Sequence, residues 1–144
     1  MRYLNFFSEK AFVFLFFLLL FGGCNEEETI TAKTVEPTFT SIQAIIFTNC
    51  ALQSCHGASA KAGLNLSKGS SYDNLVNVRS VEDKKNLPPF YRVKPNSPDS
   101  SFLYIKITSP GQGQGDRMPQ AGISLSQNEI AAIRQWIAEG AKNN

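Results

Sequence analysis

Residues 11–21 are an unbroken apolar run, with Arg2 and Lys10 before it and Gly22, Gly23 and Cys24 after it. A helix needs about 20 apolar residues to cross a bilayer, so this run is too short to span one. A basic stretch, a short apolar stretch and small residues at a cut site are the pattern of a secretory signal. Residues 25–37 turn polar, and Glu26, Glu27 and Glu28 follow one another. Little there can be buried, which predicts a flexible tether. One-sided apolar spacing then appears at Ile42, Ile45 and Ile46. It predicts a helix from near Thr40 to near Asn49, with Thr40 and Gln43 as capping box and Phe39 as staple.

The pattern weakens over 57–69, where only Leu64 and Leu66 interrupt small and polar residues; this reads as a loop tucking two leucines inward. A short helix is expected over 71–77, boxed by Ser70 and Asp73, with Tyr72, Leu75 and Val76 facing in. Residues 79–98 carry prolines and charge and read mostly as loop. Residues 100–107 are ambiguous. Their β-branched and aromatic content favours a strand, whereas Asp99 or Ser100 as N-cap favours a helix. A Gly-rich loop fills 109–123. The last helix is the clearest element: Ser126 and Glu129 form its box, Ile130, Ile133, Trp136 and Ile137 its apolar face, and Gly140 its stop.

Loss of a signal spanning 1–23 leaves a tether over 24–37 and one domain over 38–144, a single core's worth of chain. Fourteen Lys and Arg stand against twelve Asp and Glu. The signal takes Arg2, Lys10 and Glu9 with it, so the mature chain is nearly neutral. No basic stripe points to nucleic acid. The loop 111–115, Gly-Gln-Gly-Gln-Gly, lacks the following Lys-Ser/Thr of a phosphate cradle, which argues against a nucleotide site. Its glycines suit a loop passing close to another group.

Candidate chemistry is concentrated in Cys50-Ala51-Leu52-Gln53-Ser54-Cys55-His56. Two thiols followed directly by a histidine form a haem-attachment pattern: the thiols add to the two haem vinyl groups and the imidazole is delivered to the iron. The usual spacing has two residues between the thiols, and here there are four. A Cys50–Cys55 disulfide suits an oxidising compartment and leaves His56 unexplained. A zinc site needs four ligands, and adjacent Cys and His chelate one ion poorly. A cysteine nucleophile with a histidine base is normally assembled by the fold rather than by sequence neighbours. His56 is the sole histidine, and with Met1 lost Met118 is the sole methionine of the mature chain. His and Met together are the axial pair of an electron-transfer haem. Met118 as a gap-filling core residue is the other reading. Arg92 and Arg117 are candidates to meet the haem propionates, with solvated surface charge as the alternative.

Two resemblances carry this further. Phe21-Gly22-Gly23-Cys24 resembles a bacterial lipobox, with Phe21 departing from the usual aliphatic residue. It implies that Cys24 becomes the first mature residue and carries lipid, anchoring the chain in the periplasm or at the cell surface. The second runs over residues 40–142: Cys50, Cys55-His56-Gly57, Leu64-Asn65-Leu66, Arg92-Val93-Lys94-Pro95, Ser101-Phe102-Leu103, Arg117-Met118-Pro119, and Glu129-Ile130 through Trp136-Ile137 to Gly140. This order resembles the cytochrome c superfamily, and is similar to the haem-binding modules of planctomycete-type cytochromes. The resemblance implies an all-α, class I cytochrome c-like fold whose first and last helices cross beside one haem c. It makes residues 99–108 helical. It carries Cys50 and Cys55 over as thioether attachments, His56 as proximal ligand and Met118 as distal ligand. The expected role is electron transfer with redox partner proteins, not enzyme catalysis. The alternatives are a haem enzyme or gas sensor with a displaceable Met118, and a disulfide-stapled binding module without haem.

Overall fold

The computed structural model describes residues 34–80, 90–120 and 122–144. The signal, Cys24 and most of the tether lie outside the described residues.

Helix α1 covers residues 39–50 as three abutting segments: Phe39–Ile42, a π segment Gln43–Phe47, and Thr48–Cys50. Its start differs from the expected box. Thr38 is the N-cap, its hydroxyl accepting from the Ser41 N–H at 3.3 Å. The reason is tertiary. The Thr40 hydroxyl and N–H both donate to the carbonyl of Asn144, at 2.7 and 2.8 Å, and the Phe39 N–H donates to Asn144 Oδ1 at 3.1 Å. Remote acceptors therefore satisfy the first-turn donors that a helix leaves unpaired. The Gln43 amide, rather than turning back to Thr40, donates to Leu66 O at 3.2 Å and accepts from the Ser71 hydroxyl. The widened π turn also shifts the inward face. Ile46 and Phe47 are both buried, while Ile45, expected on that face, is only half-buried.

Helix α2 is Ser71–Leu75, shorter than expected and without a side-chain cap bond from Ser70. It stops because Val76 is extended and pairs with Val93 in an isolated bridge, while Asn77 takes a left-handed conformation (φ 59°). Leu75 and Leu66 are buried; Tyr72, Val76 and Leu64 pack against the core from partly exposed positions. A 3₁₀ turn, Pro98–Ser100, leads into helix α3, Phe102–Ile107, whose N-cap position is Ser101 rather than Asp99 or Ser100. The β-prone sequence is helical here because its first-turn donors are met from outside. The Phe102 and Leu103 N–H groups donate to the carbonyls of Tyr91 and Arg92, each at 2.9 Å. Buried Phe102 and Ile107 then fix which side faces in.

Helix α4, Gln127–Ala138, matches its sequence pattern. Ser126 Oγ accepts from the Glu129 N–H at 3.3 Å, and Glu129 Oε2 accepts from the Ser126 N–H at 2.7 Å. Gly140 closes it at φ 99°, where a side chain would be strained. Ile130, Ile133, Trp136 and Ile137 are all buried. Helices α1 and α4 meet directly: the Phe39 and Trp136 rings are 5.6 Å apart, and Tyr72 stands edge-on to Phe39 at 5.0 Å. The domain is all-α. Its described residues contain three isolated bridges and no strand. No described helix is long and apolar enough to cross a membrane.

Candidate cofactor site

All four helices contribute to the wall of one cavity of about 290 Å³. Ile46 and Phe47 of α1, Leu75 of α2, Leu103 and Ile107 of α3 and Ile133 of α4 make its apolar surface. The same cavity is lined by Cys50, Cys55, His56 and Met118, so residues 68 positions apart in the chain meet across one space.

Helix α1 delivers the first thiol at its last residue. Cys50 is half-buried and its thiol donates to Ile46 O at 3.5 Å. Burial, with smaller contributions from Cys55 and Glu129, pushes that thiol up to about 11, so it is held protonated. Beyond the helix the longer linker folds into a closed turn. The Cys55 and Gly57 N–H groups both donate to Leu52 O, at 2.9 and 3.0 Å, and the His56 N–H donates to Cys50 O at 3.1 Å. The last bond returns the His56 backbone to that of Cys50 despite the two additional residues. Cys50 and Cys55 are both free thiols, not a disulfide.

The imidazole is fixed from its far side. His56 Nδ1 is 3.2 Å from the Lys61 carbonyl. A carbonyl only accepts, so in this bond Nδ1 carries the proton and Nε2 keeps its lone pair. Metal-ligating histidines are held in this manner. Gly57 is required at the turn: a Cβ there would meet Ala51 O at 2.7 Å and Leu52 O at 2.9 Å, both backbone atoms. Gly57→Ala is therefore expected to distort the Cys55-His56 turn and cost about 1–3 kcal/mol, as overpacking does. A thermal melt and the yield of correctly ligated protein check this; wild-type values for both would refute it.

Met118 comes from the loop after α3, its N–H donating to Lys106 O at 2.7 Å; the bond to Pro119 is cis. Arg92 lines the cavity at 8 % exposure, donating to Asn74 O at 2.8 Å and Gly63 O at 3.0 Å. Its desolvation lowers its pKa from the ordinary value. Arg117, by contrast, is exposed, donates through Nε to Ile107 O and does not line the cavity. Of the two arginines, only Arg92 is at the site.

No protein-family model, no curated protein and no solved structure matches this chain. The donor set itself therefore has to say what fits. Two thiols, one imidazole nitrogen and one thioether surround an apolar space. Arg92, Lys61 and Lys106 are the charged residues on its described wall, and no carboxylate joins them. Among the described residues no three His, Cys, Asp or Glu side chains gather as a metal site. The chemistry of this lining suits an apolar-bodied group that carries anionic arms and could be held by a nitrogen and a sulfur. A haem has those features.

Sequence reasoning found the four ligand-type residues and Arg92. It missed Lys61 and Lys106, and it missed Leu52 and Ile123. Those two are 49 % and 39 % exposed, the exposed large hydrophobics of the described chain, and both line this cavity. Only the large apolar side chain of Leu52, in a linker otherwise of small and polar residues, was a signal for any of them.

Proposed function

We propose that the domain holds one haem c and carries single electrons outside the cytoplasm, as a class I cytochrome c-like domain tethered to a bacterial membrane through lipid on Cys24. The observation that carries this reading is the convergence of both domain thiols, the sole histidine and Met118 on one apolar cavity whose described wall holds no carboxylate. The contact between α1 and α4 and the delivery of Cys50 by the end of α1 support the fold assignment.

When bound, the haem supplies a one-electron iron couple. Cys50 and Cys55 would hold it: each S–H adds across a vinyl C=C, sulfur to one carbon and hydrogen to the other, with no oxidant and no leaving group. Their free state is the one this addition needs. His56 would present Nε2, its ring held by the Lys61 carbonyl. Met118 would present its thioether from the facing loop, and thioether ligation favours the reduced iron. Arg92 would meet a propionate, giving a nine-tenths-buried cation the anion it lacks among the described residues. With an imidazole and a thioether both committed, no position is left for substrate, which favours an electron carrier over an enzyme. Redox partner proteins would approach the mouth where Leu52 and Ile123 are exposed.

The test is the full chain produced with a c-type maturation system. It is expected to keep a haem stain on a denaturing gel and to show low-spin, six-coordinate spectra in both redox states. A colourless product, or a high-spin five-coordinate haem in both states, would sink the reading.

A further inference from the structure

The loop that carries Met118 has no core of its own. Residues 109–120 are all exposed or half-buried. Inside it, the Gln114 N–H donates to Gly111 O at 3.1 Å and the Gly111 N–H donates to Gln114 Oε1 at 2.6 Å, closing one turn. Gln120 donates to Asp116. Among the described residues, three hydrogen bonds tie this loop to the rest of the domain, and all three end on the last two residues of α3. The Met118 N–H donates to Lys106 O at 2.7 Å, Arg117 Nε donates to Ile107 O at 2.9 Å, and Lys106 Nζ donates to Gln114 O at 2.9 Å.

The last carbonyls of a helix have no partner within it. Here the Met118 loop supplies donors to two of them and so serves as the C-terminal cap of α3. The dependence runs both ways. A helix as short as α3, six residues rich in β-branched and aromatic side chains, gains little stability from its own propensity. Among the described residues, Lys106 alone hydrogen-bonds to both limbs of the loop. Its carbonyl takes the Met118 limb and its ammonium reaches the Gln114 limb. The ammonium also lies 5.8 Å from the centre of the Phe102 ring, and the residue lines the cavity.

We infer that Lys106 is the positioning residue of the distal ligand, clamping both limbs of the Met118 loop to α3 so that the thioether is held at the cavity. This rests on the reading of Met118 as an iron ligand. Strength of the iron–sulfur bond is then set partly by a side chain that does not touch the sulfur. Loosening the clamp lets an added ligand displace Met118 more readily.

The experiment is a titration of the ferric, haem-loaded full chain with imidazole, alongside the near-infrared absorption band of sulfur-ligated ferric haem. Lys106→Met keeps the aliphatic stem and removes the ammonium. It is expected to bind imidazole about fivefold to tenfold more tightly, the size of one lost hydrogen bond of ordinary net strength at a half-exposed position. Lys106→Arg should restore wild-type behaviour, since a guanidinium can donate to the same carbonyl. Lys68→Met removes an exposed cation that neither lines the cavity nor touches the loop, and should match wild type. Wild-type imidazole affinity in Lys106→Met, or an equal effect from Lys68→Met, overturns the clamp. A wild-type protein lacking the sulfur band overturns Met118 ligation and the clamp with it, whereas a normal wild-type band that ignores Lys106 overturns the clamp alone.

Discussion

Cys50→Ala/Cys55→Ala is expected to lose all covalent haem and, with it, cooperative thermal melting. The cavity these thiols border is large for a domain of this size. Left void, a space of about 290 Å³ would cost up to roughly 7 kcal/mol at ~24 cal/mol per Å³. The open mouth admits water, so this is an upper bound. It is still comparable with the whole stability of a typical domain, about 5–15 kcal/mol. Buried Arg92 adds to the cost, because its desolvated charge is met by two carbonyls and by no carboxylate among the described residues. A bound group present only in the folded state shifts the equilibrium toward that state. Haem staining after denaturation and a circular-dichroism melt measure both halves. A haem-free double variant that melts cooperatively within a few degrees of the wild type would show that the protein fold does not depend on its occupant.

Trp136→Ala should be the most damaging single change away from the cavity, costing about 4 kcal/mol, typical of a fully buried Trp. Trp136 is 1 % exposed, packs against Phe39 where α1 meets α4, and donates from Nε1 to Lys142 O at 2.8 Å. Losing it leaves a hole at the contact that joins the two ends of the domain. For a domain of this length the loss corresponds to a fall in Tm of roughly 20 °C. Trp136→Phe keeps most of the packing and loses the hydrogen bond, and should cost nearer ~1 kcal/mol plus its lost volume. The melt of haem-loaded protein checks the order. A Trp136→Ala variant within about 1 kcal/mol of wild type would mean that the α1–α4 contact contributes little.

These effects sit on parts of the molecule that differ in how far the chain announces them. Helix α4 is legible because every signal is local: Ser126 and Glu129 satisfy each other, the apolar spacing is regular, and Gly140 ends it. The same logic misplaces the start of α1. Thr40 and Gln43 have the right spacing for a box, but Asn144, Leu66 and Ser71 compete for their polar groups and win. Residues 102–107 are the sharper case. Their own preference is extended, and the carbonyls of Tyr91 and Arg92 at their first turn make them helical.

For the candidate site, the chemical kinds of its groups were already present in the order of residues. Paired thiols with a histidine, and a lone methionine beside a proline, are covalent facts that folding does not alter. Which of them share a space was not available there, because the interval between His56 and Met118 is crossed by packing, not by local geometry. Tertiary structure alone brought Arg92 into the wall and left Arg117 outside it. It also set Lys106 against both limbs of the Met118 loop. Local hydrogen bonds and periodicity act over a few residues and can be read in order. Contacts whose partners are remote in the chain exist only once the backbone has closed on itself.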